Sequence, residues 1–310
     1  MENNNQRRQL KKRHKDMIFV ACWAILPLVQ YFIFYICVNF NSVIMAFQRF
    51  DRDLANQSGK YVFSGFDNFT KLFQEFFRDG LFWTCLKNSM TYYVANFLFG
   101  TMLGLVFAYY IFKKNFASKF YKIMLFLPSI ISSIVLITIF KYFANFVIPQ
   151  VAQSWFNVKI PALTSDVSTT LGTIIFYNIF AGFGTSILLY SGAMTNVSES
   201  VLEAAKIDGV GPVREFVKII VPLIYPTLKT LLITAVATIF TSDIGLFSFY
   251  GTGAKPYLYT FGYYILRGAR TATLAEYPYL ASVGVGLTII AVPLTFLVRK
   301  LLTRFGPSVD

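Results

Sequence analysis

Apolar runs of similar length recur along this chain, and they restrict it to very few folds. Six such runs fall at roughly residues 17–38, 92–112, 123–143, 171–190, 228–249 and 280–297. Each is close to the ~20 residues that a helix needs to cross hydrocarbon. In that solvent a backbone polar group finds no water, so a crossing segment satisfies its own hydrogen bonds as a helix or joins a closed barrel. Long continuous runs, rather than alternating ones, belong to helices. The expected fold class is all-α and integral to the membrane, a six-span helical bundle. Only 14% of the residues are charged, against about 25% in soluble domains. The first run is longer than a signal-peptide core and ends in Asn39-Phe40-Asn41 without a small-residue cleavage site. It is expected to remain as the first span.

Charge sets the expected orientation. The net charge of +13 could suggest nucleic acid, but the basic residues lie between apolar runs rather than along one face. The positive-inside rule accounts for them better, and no nucleic-acid partner is expected. With the N-terminus inside, the inner segments are the tail (Arg7, Arg8, Lys11, Lys12, Arg13 and Lys15) and residues 113–122, 192–229 and 299–310. They hold 17 of the 28 Lys and Arg residues but 7 of the 15 acids. Both termini and the long loop before the fifth run are therefore expected in the cytoplasm. The predicted organisation is a basic tail over 1–16, a first transmembrane helix over 17–47, an external loop with an amphipathic segment over 48–85, and a core of five spans over 86–310. Cys22, Cys37 and Cys85 are odd in number and show no disulfide or metal spacing. His14, the single histidine, sits in the tail. No catalytic residue and no metal site are expected.

One polar island interrupts the apolar pattern: Glu203-Ala204-Ala205-Lys206-Ile207-Asp208-Gly209, continuing through Gly211-Pro212 to Val221-Pro222-Leu223. Ser200 stands three residues before Glu203, the spacing of a capping box that opens a helix. Gly209 and Gly211-Pro212 end that helix, and Pro212 suits the first turn of the next one. Pro222 and Pro226 then interrupt the second helix. Two short helices joined by a glycine turn, with spans on either side, read either as a projecting docking element or as an ordinary capped amphipathic helix.

The same residues resemble the EAA loop of ABC-importer permeases. With Phe216 and Ile219-Ile220-Val221-Pro222-Leu223 following, they are similar to the carbohydrate branch, the membrane subunits of maltose and oligosaccharide transporters. The resemblance implies a type I ABC importer permease fold, with residues 192–228 forming a coupling loop that sits in a groove of a cytoplasmic ATPase. It assigns ATPase coupling to Glu203, Ala204, Ala205, Asp208, Gly209 and Pro222. It also implies a second, related permease subunit, two cytoplasmic ATPase subunits, an extracytoplasmic sugar-binding protein and a bacterial cytoplasmic membrane. No Walker A pattern occurs in the chain, so no cofactor is expected in it; ATP and Mg2+ would act in the partner ATPase. Phe63-Ser64-Gly65-Phe66-Asp67-Asn68-Phe69 resembles the short element that precedes the core of sugar-type permeases, or reads as a turn plus an amphipathic helix.

Polar groups within spans tend to face protein or a water-filled path. Asn88, Tyr92, Tyr93 and Asn96 recur at helical spacing on the second span, and Tyr177, Asn178, Gly182, Thr185 and Ser186 lie on the fourth. Asn178 and Gly182 are one turn apart and share a face; the glycines also suit close helix packing. Asp243, beside Thr241 and Ser242, either lines a path or lies in the outer headgroup layer, paired with a basic group such as Lys141. In the family's maltose-transporting member, an Asn and a Gly precede the EAA glutamate at the spacing of Asn178 and Gly182 from Glu203. Polar positions on its next span map near Thr238 and Thr241, where that member has asparagines, and its tyrosine is replaced here by Thr185. The candidate substrate path is thus Asn178, Gly182, Thr238, Thr241 and Asp243, for a sugar or oligosaccharide. The segment 250–279 is expected outside, either meeting the binding protein or forming a loop with a short amphipathic helix. Alternatives are an importer of a non-sugar solute, an ion-driven secondary transporter and a membrane-embedded enzyme. The second calls for inverted repeats and broken helices at mid-membrane, and the third for a convergent acid/base set; neither pattern is found. The topology is testable in a variant freed of the three native cysteines. Lys255→Cys should react with an impermeant maleimide on right-side-out vesicles, and Lys206→Cys only after permeabilisation; the opposite pattern would invert the topology.

Overall fold

Among the described residues of the computed structural model, five helices are long and apolar enough to cross a membrane: Lys15–Ala46, Gly80–Phe112, Ser133–Phe156, Thr170–Met194 and Tyr277–Phe305. Pro212–Leu223 and Tyr225–Ala237, bent by 71°, supply a sixth crossing when counted together. The number matches the expected six. The structure describes residues 2–53 and 58–307, and the side chains of the basic tail as far as His14 lie outside the described ones. Contacts divide the chain into two units, Met1–Leu72 with Thr273–Val285 and Phe73–Ala272 with Gly286–Asp310.

In the first unit, the span Lys15–Ala46 leads into an antiparallel hairpin, β1 (Gln48–Asp53) and β2 (Ser58–Phe63). This two-stranded hairpin is a small addition to the helical fold that was expected. Its pairing follows from cross-strand chemistry: Asp51 stands opposite Lys60, and Phe50 opposite Tyr61 with ring centroids 5.4 Å apart. The Gly65–Phe69 element then ties the hairpin to the end of the span. Gly65 takes a positive φ of 65°, and the Asn68 amide donates to the carbonyls of Ala46 and Gln48 at 2.9 and 2.7 Å. Asp67–Arg78 follows as the expected amphipathic helix. Elsewhere in this unit the Thr273 N–H and hydroxyl donate to Glu276, holding its carboxyl below the usual range.

In the second unit, Thr170–Met194 packs against Met102–Phe112 and Ser118–Ile130. Small residues permit this approach. A Cβ at Gly184 would collide with the Leu125 carbonyl and Phe126 Cα, and one at Gly104 would meet the Tyr190 ring at 3.2 Å. Gly182 faces open space. Toward the end that carries the polar island, Leu105, Ala108, Ile187, Tyr190, Met194, Ile220, Ile224 and Leu228 form a buried cluster.

Two expected spans are drawn differently by the structure. The run 123–143 is not one helix: Ser118–Ile130 ends at Ile131, whose backbone is extended (ψ 142°), and a new helix starts at Ser133. Pro128 lies just before the break, and proline weakens a helix by removing one N–H and crowding the preceding turn. The run 228–249 is helical only as far as Ala237; the chain then turns and resumes helix at Leu246–Tyr250. Thr238, Thr241 and Asp243 therefore lie beyond the helix rather than within it. Gly184→Leu should lower the melting temperature of the purified protein, because overpacking typically costs ~1–3 kcal/mol. Gly182→Ala should leave it unchanged; equal melting shifts would refute the close contact at Gly184.

Candidate docking loop and solute-path residues

The polar island folds as a helix over Glu199–Ile207, a turn, and a second helix that begins at Pro212. Its start corrects the capping-box expectation. Ser198, not Ser200, occupies the cap position, and its side chain makes no cap hydrogen bond. The Ser198 and Ser200 hydroxyls lie 2.6 Å apart instead, and Glu203 falls a full turn into the helix. Glu199 in the first turn and Lys206 in the last complement the helix dipole.

The end of this helix explains the glycine four residues after Ala205. The Val210 N–H donates to Ala205 O at 3.0 Å and the Gly209 N–H to Lys206 O at 3.1 Å, the paired bonds of a Schellman motif. That motif needs a left-handed residue, and Gly209 has φ +66°. Only Ala205 of this helix is buried; Glu203, Ala204, Lys206, Ile207 and Asp208 are exposed. Ile207 and Val213, on either side of Gly209, are 86% and 77% exposed. The loop thus presents carboxylates beside uncovered aliphatic groups, with its glycine fixing the turn between them.

Sequence reasoning missed what holds the loop. Lys113 closes the helix Met102–Phe112, and its ammonium lies 2.7 and 2.9 Å from the two carboxylate oxygens of Glu215. Glu215 is only 4% exposed. Removing one member of such a pair leaves a buried charge uncompensated, which costs ~3–5 kcal/mol. The two residues stand 102 positions apart, so no local pattern could have linked them. Further along, Pro222 sits half-buried in Val221–Leu223, just before the bend at Ile224. Pro226 lies in the first turn of the next helix, Tyr225–Ala237, where its missing N–H is harmless.

Thr238, Thr241 and Asp243 lie in the turn after Ala237, and Asn178 is bonded to it. Asn178 donates to Ile174 O and Ile244 O, both at 2.8 Å, so its amide hydrogens are engaged with backbone. Ile244 has φ +47°, unusual for a branched residue, and this bond helps to hold it. The Asp243 carboxylate accepts from the N–H groups of Gly245 (3.1 Å) and Phe247 (3.2 Å). Lys141, the partner considered for Asp243, donates to Phe249 O at 3.0 Å and lies over the Tyr250 ring. Thr260 donates to Ser242 O, and Asn88 holds the Tyr257 and Tyr259 carbonyls. Gly182, Thr238 and Thr241 are exposed, with both threonine hydroxyls bonded to carbonyls of their own segment. The structure brings Asn178 and Asp243 to one turn. The segment 250–279 includes the helix Phe261–Thr271, capped by Thr260, whose hydroxyl oxygen accepts from the Tyr263 N–H.

Gly209→Ala should destabilise the isolated protein by ~1–2 kcal/mol, the cost of a left-handed conformation for an L-residue. Gly211→Ala should cost less in the same thermal-unfolding measurement, since Gly211 has φ −69°. Equal losses would show that Gly209 conformation is not limiting.

Residues 98–310 match the protein family described as "Binding-protein-dependent transport system inner membrane component". The chain is 29% identical over 190 residues to the maltose/maltodextrin transport system permease protein MalF of Klebsiella aerogenes, covering 60% of this chain and 37% of that protein. It is 27% identical over 178 residues to the sn-glycerol-3-phosphate transport system permease protein UgpA of Shigella dysenteriae, covering 55% and 57% respectively. The matched stretches thus cover less than two thirds of either relative. In fold, a chain from the crystal structure of a bacterial ABC transporter involved in the import of the acidic polysaccharide alginate superimposes with a TM-score of 0.77. That match covers 96% of this chain and 99% of the other at 20% identity.

Proposed function

The chain belongs to the family of binding-protein-dependent transport system inner membrane components, and from that premise we propose that it is a permease subunit of an ATP-driven importer of a sugar or oligosaccharide. It forms half of the translocation path, and a related second permease forms the other half. One of two cytoplasmic ATPase subunits docks on the loop around Glu203, Ala204, Ala205, Asp208 and Gly209, with Pro222 shaping the segment behind it. An extracytoplasmic sugar-binding protein delivers the solute. The chain itself is not an enzyme: ATP and Mg2+ act in the partner, and no cofactor is held here. Both termini lie in the cytoplasm of a bacterial cell, in line with the bias of basic residues toward the inner segments.

The observation that carries this reading is the exposed face of Glu199–Ile207. A short helix whose one buried residue is Ala205, and which leaves Ile207 uncovered next to Glu203 and Asp208, is shaped for a protein groove. Gly182, Thr238 and Thr241 offer exposed surface to the solute, while Asn178 and Asp243 shape the wall by holding the turn at residues 242–247. ATPase closure moves the docking loop, and the spans fixed to it reopen the path from inward to outward facing. Co-purification of a tagged chain with its candidate ATPase tests the docking. Wild type should retain the ATPase, and Glu203→Lys should lose most of it while still inserting in the membrane. Undiminished ATPase association in the variant would sink the assignment.

A further inference from the structure

A push on Glu199–Ile207 reaches the spans through the chain on either side of it and through the contacts that fix the loop. Three of them converge on the first turn after the Schellman glycine. Glu215 meets Lys113 with both carboxylate oxygens. Tyr109, one turn before Lys113, donates its hydroxyl to Pro212 O at 3.2 Å. The Tyr109 ring also lies 4.9 Å from the ring of Phe216. Every partner on the loop side falls within Pro212–Phe216, separated from the docking helix only by Asp208, Gly209, Val210 and Gly211. Every partner on the other side belongs to the inner end of the span Gly80–Phe112 or to the residue that closes it.

The polarity of the latch fits its place. Lys113 stands at a helix C-terminus and Glu215 in the first turn of another helix, so each charge is favoured by its own helix end as well as by the other. The carboxylate of Glu215 is buried, so it is not available to a partner approaching from the cytoplasm. Its charge is used inside the chain.

We propose that Lys113 and Glu215 are positioning residues that carry the ATPase-driven movement of the docking loop into the span Gly80–Phe112. The inference rests on the docking function of the loop, but it assigns the pair to transmission and not to docking. Single exchanges therefore leave the ATPase bound and hydrolysing ATP while the span stops responding.

The experiment uses the full assembly, free of native cysteines, with Thr91→Cys as a reporter on the exposed side of that span. The labelling rate by a maleimide is measured with and without ATP and vanadate, together with ATPase retention and hydrolysis. In wild type the rate should change on addition of ATP and vanadate. Glu215→Gln and Lys113→Met should keep the ATPase and its hydrolysis but reduce that change ~10-fold. Combining Lys113→Glu with Glu215→Lys should recover part of it, because the pair is restored against the preference of the two helix ends. Tyr109→Phe, which removes only one hydroxyl, should reduce the response ~3-fold and decides the matter if the charge variants fail to insert. An unchanged response in the single variants, or in Tyr109→Phe when it stands alone, overturns the proposal. So does an absent response in wild type, or a loss of ATPase that the double exchange does not repair. Failure of wild type to retain any ATPase overturns the docking reading itself, a result separate from any effect of the pair.

Discussion

In hydrocarbon an interrupted helix exposes N–H and C=O groups that water cannot satisfy. The side-chain chemistry of this protein is largely organised around that constraint. Where the chain leaves the helix Tyr225–Ala237, Asn178 binds Ile244 O, Thr260 binds Ser242 O, and Asp243 accepts the N–H groups of Gly245 and Phe247. Lys141 covers Phe249 O, and the Tyr263 hydroxyl donates to Gly251 O while accepting from the Ala254 N–H. Asn88 takes the carbonyls of Tyr257 and Tyr259. Polar residues that look like ligands for a solute are thus first of all ligands for the backbone. Their contribution to a path comes through the shape they enforce.

The opposite end of the second unit solves a different problem. The loop there is exposed, yet it is tied down on several sides. The Schellman turn makes the loop stiff from within, Leu202 packs against the buried cluster that includes Ile187, Met194 and Ile220, and the Lys113–Glu215 pair ties its exit to a neighbouring span. Exposure at Ile207 and burial at Glu215 invert the usual preferences of those residue types. Both inversions occur within nine positions of each other, flanking the turn.

Much of this was legible in the sequence because it is local. The crossings are encoded in run length, the polar loop in Glu203-Ala204-Ala205 and Gly209, and the helix Phe261–Thr271 is the short amphipathic one considered for residues 250–279. The hairpin was not legible: its strands are short and rich in charge, and their pairing depends on cross-strand partners that are not local neighbours, such as Asp51 and Lys60. Helix starts were misplaced by small margins, as at Ser198, because a serine at either position satisfies the same pattern. The ends of the third and fifth runs were misjudged because hydropathy measures affinity for lipid, not continuity of helix. Residues 131–132 and 238–245 remain apolar enough to extend a run while their backbone turns away. Lys113 and Glu215 were invisible as a pair for the same reason as the hairpin, since only the fold brings them together.

The bend between Pro212–Leu223 and Tyr225–Ala237 has a geometric consequence. At 71° the two arms are closer to perpendicular than to collinear. A displacement along the axis of the first arm projects mostly across the second and only weakly along it. Under the docking proposed above, a thrust along the first arm would become a sideways sweep of the arm that leads toward Thr238. The Tyr225 hydroxyl, bonded to Leu302 O at 2.6 Å, sits at the corner and gives that sweep a fulcrum on the last helix.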